Sequence, residues 1–198
     1  MMRAGVVGLG DMGSGLAKNL IKNGILTTGF DLSNLRMDAF VQMGGTPVAS
    51  IAEVGNNSDA VFVMVMNGEQ AKSVILGENG LASHMSKGGA VLLTATIKPV
   101  EAREIDTALQ GSGVHLIDSP VSGGFPGAQN GTLTMMAAAA SDVLDKYATI
   151  MESVSSTIHR VGTNAGEGQV MKSCLQTLIG SIFGATSEAA ALAAQAGV

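Results

Sequence analysis

The stretch Gly8-Leu9-Gly10-Asp11-Met12-Gly13 has the spacing G-x-G-x-x-G and lies between a predicted strand, Arg3 to Gly8, and a predicted helix, Met12 to Asn23. In such a turn the first glycine permits the sharp change of direction. The second lets a phosphate approach the backbone, and the third lets the helix pack closely on the strand. The stretch therefore predicts a dinucleotide-binding turn. A glycine turn without a ligand, an FAD site and an S-adenosylmethionine site remain alternatives.

Asp31 supports the dinucleotide interpretation. It ends the second predicted strand, Ile25 to Asp31, at about the distance beyond the glycines where a carboxylate accepts hydrogen bonds from ribose hydroxyls. This placement favours NAD as the cofactor, whereas Arg36 keeps NADP possible. An ordinary strand-end or capping acid is the alternative interpretation of Asp31.

Short apolar runs alternate with segments of helical period, which predicts an α/β fold with a doubly wound, mainly parallel sheet of the Rossmann type. Further strands are predicted at Ala60 to Met66, Ala90 to Thr94, Val114 to Asp118, Leu133 to Ala138 and Thr157 to Val161. Ser33 is expected to cap a helix and Pro99 to open one. Ligands of such sheets bind at the carboxyl ends of the strands, so Val65, Met66 and Asn67 are expected to line the cofactor cleft, although Met66 could equally fill the core.

The segment from Ala165 to Ala196 contains no proline and is rich in alanine, which predicts one helix of roughly 45 Å. We therefore divide the chain into residues 1–162, a Rossmann domain that binds NAD(P), and residues 163–198, a long interdomain helix that begins an absent all-helical domain. The apolar surface of this helix is too wide for a free helix in water, so we expect a homo-oligomer that pairs through it.

Composition excludes several other classes of protein. A formal net charge of −5 at pH 7 argues against nucleic acid as the main partner. The run from Ala60 to Met66 is too short to cross a bilayer, and the alanine-rich segment carries Glu188, so we expect no membrane span. The single cysteine, Cys174, and the lack of an export signal favour the cytoplasm. The histidines, His84, His115 and His159, show no paired spacing, and we expect no metal site.

Four ordered blocks carry a family resemblance. Residues 8–24, with the sequence GLGDMGSGLAKNLIKNG, resemble the opening signature of the β-hydroxyacid dehydrogenase family, whose members act on 3-hydroxyisobutyrate, tartronate semialdehyde or L-threonate. The blocks DSPVSGG at 118–124 and GA at 127–128 followed by GTLT at 131–134 resemble the substrate-loop region of that family. The block GEGQVMK at 166–172 resembles its catalytic-lysine segment.

The resemblance implies an oxidoreductase that moves a hydride between NAD and a small hydroxy acid. Lys172 would be the general acid/base, since a partly desolvated lysine can lose its proton near neutral pH. The substrate carboxylate would be bound by Ser122, Gly123 and Gly124, with Thr96 near both the nicotinamide and the substrate. Gln176 lies on the same helix face as Lys172 and would position the substrate.

Each of these positions also has an ordinary structural interpretation. Lys172 could be a solvated helix lysine, Thr96 a strand-end residue and Gln176 a surface residue. Family members continue beyond the long helix into an all-helical domain that closes the substrate cleft, whereas this sequence stops at Val198. We therefore expect a truncation, and the second hypothesis is a cofactor-binding or oligomerising fragment with little turnover.

Overall fold

The strands predicted from apolar runs form one nine-stranded sheet in the computed structural model, which describes residues 2–198. The strands are β1 (Arg3–Val7), β2 (Leu26–Phe30), β3 (Thr46–Pro47), β4 (Ala60–Val63), β5 (Ala90–Leu93), β6 (His115–Asp118), β7 (Val121–Ser122), β8 (Leu133–Ala138) and β9 (Ser155–Gly162). The two-residue strands β3 and β7 are additions to the prediction, because they are too short to carry an alternating pattern.

The strand order is β3-β2-β1-β4-β5-β6-β8-β7, and β9 pairs with β8. All neighbours from β3 to β6 are parallel, β8 runs antiparallel to β6 and β7, and β9 is parallel to β8. The predicted doubly wound, mainly parallel fold is confirmed. The order reverses between β1 and β4, which is where sheets of this class bind dinucleotides.

Residues 2–198 contain ten helices, of which the first nine lie between strands and α10 follows β9. They are α1 (Asp11–Lys22), α2 (Asn34–Gln42), α3 (Ile51–Asn56), α4 (Gly68–Leu76), α5 (Leu81–His84), α6 (Pro99–Leu109), α7 (Gly124–Asn130), α8 (Ser141–Lys146), α9 (Ala148–Glu152) and α10 (Glu167–Gln195). Pro99 opens α6 as predicted. Ser33 occupies the N-cap of α2, but its hydroxyl accepts no capping bond. Instead, its backbone N–H donates to Asp31 Oδ1 at 2.9 Å.

The helices bury the sheet on both faces. Along β4, Ala60 and Phe62 point into a core formed with α1, α2, α7, α8 and α9, whereas Val61 and Val63 point into a second core formed with α3 to α6. Burial on both sides explains why the inner strands read as continuous apolar runs. The predicted strand at 60–66 ends earlier, at Val63, because the following residues turn into the loop at the carboxyl edge.

Helix α10 confirms the predicted long helix, but only its first turns are buried. Its buried residues are Gly168, Gln169 and Lys172. Further along, large apolar side chains are exposed, including Leu178 at 58% and Phe183 at 69%. Among the described residues α10 is the one helix long and apolar enough to cross a membrane, with a mean hydropathy of 1.3 over a window of which none is buried. Length and composition equally suit a helix that packs against protein, so the absence of a span stays a prediction.

Helix α1, which follows the glycine turn, packs directly against α7. A Cβ built on Gly15 would lie 2.6 Å from the carbonyl carbon of Ala128, so the two backbones touch. Beside this contact the buried Asn19 donates from Nδ2 to the carbonyl oxygens of Gly15 and Ala128, both at 2.8 Å. One side chain therefore joins the helix after the glycine turn to the helix after the Ser122 loop.

We expect the Asn19→Ala substitution to lower the free energy of unfolding by about 1–3 kcal/mol, because it leaves a buried carbonyl group without its donor. Urea unfolding followed by circular dichroism measures the change. Lys18→Ala is the matched control, since Lys18 is the exposed preceding residue of the same helix. Equal midpoints for the two variants would show that the Asn19 bridge contributes nothing to stability.

Candidate functional site

Two glycines of the turn between β1 and α1 are required by the packing of the chain itself. Gly8 has a φ of 91°, and a Cβ there would lie 2.2 Å from the carbonyl oxygen of Met64. A Cβ on Gly13 would lie 1.8 Å from the carbonyl oxygen of Gly8. A side chain at Gly8 would push the turn away from the residue that follows β4, and one at Gly13 would push α1 away from the end of β1.

Gly10 differs, because the protein leaves room beside it. The nearest atoms to a Cβ there would be those of the Arg36 guanidinium, at 3.7–3.9 Å, which is ordinary van der Waals contact. Gly10 is the N-cap of α1 and offers no side chain to the first-turn N–H groups, which have no acceptors within the helix. The bare backbone thus fits an anion such as a pyrophosphate at the amino end of α1.

Asp31 lies where the sequence predicts it, after β2, and also holds the glycine turn. Its Oδ2 accepts a hydrogen bond from the backbone N–H of Leu9 at 2.7 Å. Its side chain is 8% exposed, and Nη1 of Arg36 lies 3.4 Å from both carboxylate oxygens. A carboxylate has about four acceptor sites, which the N–H groups of Leu9 and Ser33 and the two contacts of Arg36 fill. Ribose hydroxyls would therefore take the place of the long Arg36 contacts. Arg36, 54% exposed, stands at the same place as a potential partner for a 2'-phosphate.

The carboxyl ends of β4 and β5 border a groove of about 470 Å³ whose lining includes Met66, Asn67, Thr96 and Ser173. Three of the predicted positions therefore share one groove with the residue that follows Lys172. Met66 is 85% exposed, which rules out the alternative that it fills the core. The Asn67 side chain caps α4, since its Oδ1 accepts from the N–H of Gln70 at 2.9 Å, and Val65 is half-buried.

Lys172 lies in the second turn of α10 and is 7% exposed, so the solvated-lysine interpretation is wrong. Burial lowers the pKa of its ammonium from the usual 10.5. Within residues 2–198 its Nζ makes no ion pair that would oppose this shift. A lysine in such surroundings releases its proton more readily than one in water.

The predicted carboxylate-binding residues follow β6. Ser122 is half-buried, and the exposed Gly123 and Gly124 have φ values of 127° and 58°, which only glycine adopts readily. The start of α10 packs on the residues before them, because a Cβ on Gly168 would lie 3.0 Å from Cδ of Pro120. Gln176 is exposed one turn after Lys172 and makes no hydrogen bond through its side chain to the described residues.

Two buried polar residues were given no role by the sequence. Asp118 and Gln169 are both 0% exposed. Asp118 Oδ1 accepts from Nε2 of Gln169 at 2.9 Å, and Oδ2 accepts from the backbone N–H of Gly166 at 2.7 Å. Burial raises the pKa of the Asp118 carboxyl, and the hydrogen bonds from Gln169 and Gly166 act in the opposite direction. The sequence signal that could have indicated Asp118 is an acid at the end of an apolar strand, because a carboxylate buried there requires a hydrogen-bond partner.

The histidines are dispersed over the molecule. His84 Nδ1 lies 2.9 Å from the carbonyl oxygen of Gly80, one helical turn away. In the described part of the chain no group of three His, Cys, Asp or Glu side chains is placed to hold a metal ion. The expectation of no metal site stays a prediction.

The fit of Gly10 to a phosphate, at the point where the strand order reverses, defines a dinucleotide-binding domain of the Rossmann type. Residues 3–162 match the family described as the NAD-binding domain of 6-phosphogluconate dehydrogenase, and the chain belongs to this family. NAD is thereby confirmed as the predicted cofactor.

The individual relatives of this chain confirm its resemblance to the β-hydroxyacid dehydrogenases. The L-threonate dehydrogenase of Escherichia coli is 38% identical over 195 residues, which are 98% of this chain and 65% of that protein. The NAD-dependent L-serine dehydrogenase of Pseudomonas aeruginosa is 35% identical, over 97% of this chain and 64% of that protein. The crystal structure of 3-hydroxyisobutyrate dehydrogenase from Salmonella typhimurium superposes with a TM-score of 0.92 at 33% identity, covering 100% of this chain and 69% of that one. The chain thus spans less than two thirds of the length of the first two relatives.

We expect the Asp31→Asn substitution to shift the ratio of the NADH and NADPH dissociation constants toward NADPH by about tenfold, or ~1.4 kcal/mol. The asparagine can still accept from Leu9, but it no longer repels a 2'-phosphate. Fluorescence titration with both cofactors measures the ratio. Asp38→Asn, an exposed site on α2 with the same change of charge, should leave the ratio unchanged. An unaltered ratio in the Asp31 variant would exclude the ribose contact.

We expect the Lys172→Met variant to be more stable than the unchanged protein at pH 7 and to lose this advantage as the pH rises toward 10.5. The folded-state pKa is lowered, so burying the charge costs free energy below that pKa. The cost disappears once the unfolded chain is also deprotonated. Urea unfolding at several pH values measures the difference. Lys87→Met, at an exposed site, should show no such slope, and a flat difference for Lys172 would refute the desolvation.

Proposed function

We propose that this chain is the cofactor-binding and proton-transferring part of an NAD-dependent dehydrogenase that acts on a small hydroxy acid. The observation that carries the proposal is the buried Lys172 on the helix that borders the groove at the carboxyl ends of β4 and β5. The names of the relatives support the substrate class, because threonate, serine and 3-hydroxyisobutyrate all combine a carboxylate with a nearby hydroxyl.

The bound NAD supplies a hydride acceptor for alcohol oxidation, or a donor for the reverse reaction. Lys172 accepts the hydroxyl proton on its neutral amine, and its ammonium returns a proton in the reduction. Its lowered pKa supports this role, since general catalysis is most effective when the pKa of the catalytic group lies near the operating pH. Asp31 and the backbone of Gly10 hold the cofactor end that takes no part in the chemistry.

The substrate carboxylate is assigned to Ser122, Gly123 and Gly124. The exposure of the two glycines supports this assignment, as does the absence of side chains that would shield their backbone N–H groups. Thr96 lines the groove on the cofactor side, and Gln176 extends the Lys172 face of α10. We assign these two residues to the remainder of the substrate.

The proposed division of the chain follows β9, with residues 1–162 as the NAD(P)-binding domain and 163–198 as the interdomain helix. The exposed side chains of Leu178, Ile182 and Phe183 support assembly through α10. They also favour the second candidate function, a cofactor-binding or oligomerising fragment with little turnover. The exposed free thiol of Cys174 is compatible with the reducing cytoplasm, where we place the protein.

We expect NADH formation from at least one acid in a panel that contains L-threonate, L-glycerate and 3-hydroxyisobutyrate. The Lys172→Ala substitution should lower kcat by about 10²–10⁴-fold, the usual contribution of a positioned acid/base group. NADH affinity should remain within about threefold, because the glycine turn is untouched. Initial rates and fluorescence titration measure the two quantities.

Lys87→Ala, at an exposed site before β5, is the control and should keep full turnover. Equal turnover in the Lys172 and Lys87 variants would refute the assignment of the proton-transferring residue. NADH binding by the unchanged protein without turnover of any acid, together with concentration-dependent assembly in sedimentation, would favour the second candidate function.

A further inference from the structure

The carboxamide of Gln169 connects three segments that are distant in sequence. Its Oε1 accepts from the backbone N–H of Ile97 at 3.0 Å. Its Nε2 donates to the carbonyl oxygen of Ala95 at 3.1 Å and to Asp118 Oδ1 at 2.9 Å. Both N–H donors of the amide are used, and the side chain is fully buried. The orientation of the amide is therefore fixed by all three partners.

Asp118 completes the connection at the start of α10. Its Oδ2 accepts from the backbone N–H of Gly166 at 2.7 Å and from that of Gln169 at 3.2 Å. No side chain of α10 caps these N–H groups from within the helix. The Asp118 carboxylate, at the end of β6, caps them instead. It therefore fixes where α10 begins relative to the sheet.

These hydrogen bonds hold the backbone around Thr96 in a fixed position relative to the helix that carries Lys172. The two backbone groups that Gln169 contacts, on Ala95 and Ile97, flank Thr96 on either side. Gln169 precedes Lys172 by three residues, a rise of about 4.5 Å along a rigid helix. A displacement of the carboxamide would therefore move the groove wall and the lysine relative to each other. The later part of α10 is exposed and provides no competing anchor within the described chain.

We propose that Gln169 and Asp118 are positioning residues that set the Lys172 amine relative to Thr96 without contacting substrate or cofactor. This inference rests on the proposed function for its catalytic consequence, but the placement of the lysine can be measured separately. Misplacement of a catalytic group by about 1 Å can cost about 100-fold in rate, so the connection has a measurable effect.

The test uses Gln169→Met, which keeps the side-chain length and removes all three hydrogen bonds, and Asp118→Asn, which removes the charge. Two controls separate positioning from stability. Glu167→Gln changes a half-buried acid in the same helical turn, whose carboxylate accepts from the N–H of Asn164 at 2.8 Å. Tyr147→Phe, at a buried residue, removes a part-buried hydrogen bond to the carbonyl oxygen of Gly88, before β5 and away from the groove.

The first readout is spectroscopic and needs no turnover. Lysines are reductively methylated with ¹³C-formaldehyde and a borohydride reductant, and the Lys172 signal is assigned by its absence in Lys172→Arg. Because Lys172 is 7% exposed, its amine in the unchanged protein should give a signal outside the group of exposed lysines. In the Gln169 variant this signal should move into that group, whereas the Glu167 and Tyr147 variants should retain it. Circular dichroism confirms that each protein is folded, and Asp118→Asn provides the same comparison if Gln169→Met fails to fold.

The second readout separates kcat from binding. Gln169→Met should lower kcat by about 10- to 100-fold, with the NADH dissociation constant within about threefold of the original. A folded Gln169→Met protein whose Lys172 signal and kcat match those of Tyr147→Phe would overturn the inference. If the unchanged protein turns over no hydroxy acid, the proposed function fails, while a displaced Lys172 signal in the Gln169 variant still supports the positioning role.

Discussion

The architecture depends on the close approach of two backbone segments, where Gly13 of α1 meets the carbonyl group of Gly8 at the end of β1. This contact sets the direction of the first helix over the sheet and brings the amino end of α1 to the edge where β1 and β4 separate. Asp31 strengthens the same turn through the N–H of Leu9. The residue proposed to select the cofactor therefore also shapes the loop proposed to bind its phosphates.

Buried polar side chains connect this turn to the rest of the site. Asn19 joins α1 to α7 across one face of the sheet, and Asp118 and Gln169 join α10 to the ends of β5 and β6. Each is almost fully buried, so an unpaired group there would cost about 1–3 kcal/mol. This cost restricts the geometry of the connections, and the proposed proton transfer requires such a restricted geometry.

Lys172 and Asp31 show two ways in which the fold prepares an ionisable group. Asp31 accepts hydrogen bonds from the N–H groups of Leu9 and Ser33 and lies beside Arg36. Lys172 is buried without an opposing charge, and desolvation alone lowers its pKa. The first arrangement suits permanent binding of hydroxyl groups, and the second suits a group that must gain and lose a proton. Their separation along the sheet edge parallels the separation between the ribose end of a dinucleotide and its reactive end.

The sequence by itself determined seven of the nine strands, the glycine turn and the long final helix, because each follows from local spacing and apolar periodicity. It also indicated Asp31 and, through family resemblance, Lys172. Only the tertiary structure decided that Met66 is exposed and that Lys172 is buried. Only the structure revealed Gln169 as a bridge, since its partners Ile97 and Asp118 lie 72 and 51 residues away. A glutamine in the first turn of a helix has no distinctive local pattern, and its role arises only when parallel strands bring their carboxyl ends to one edge.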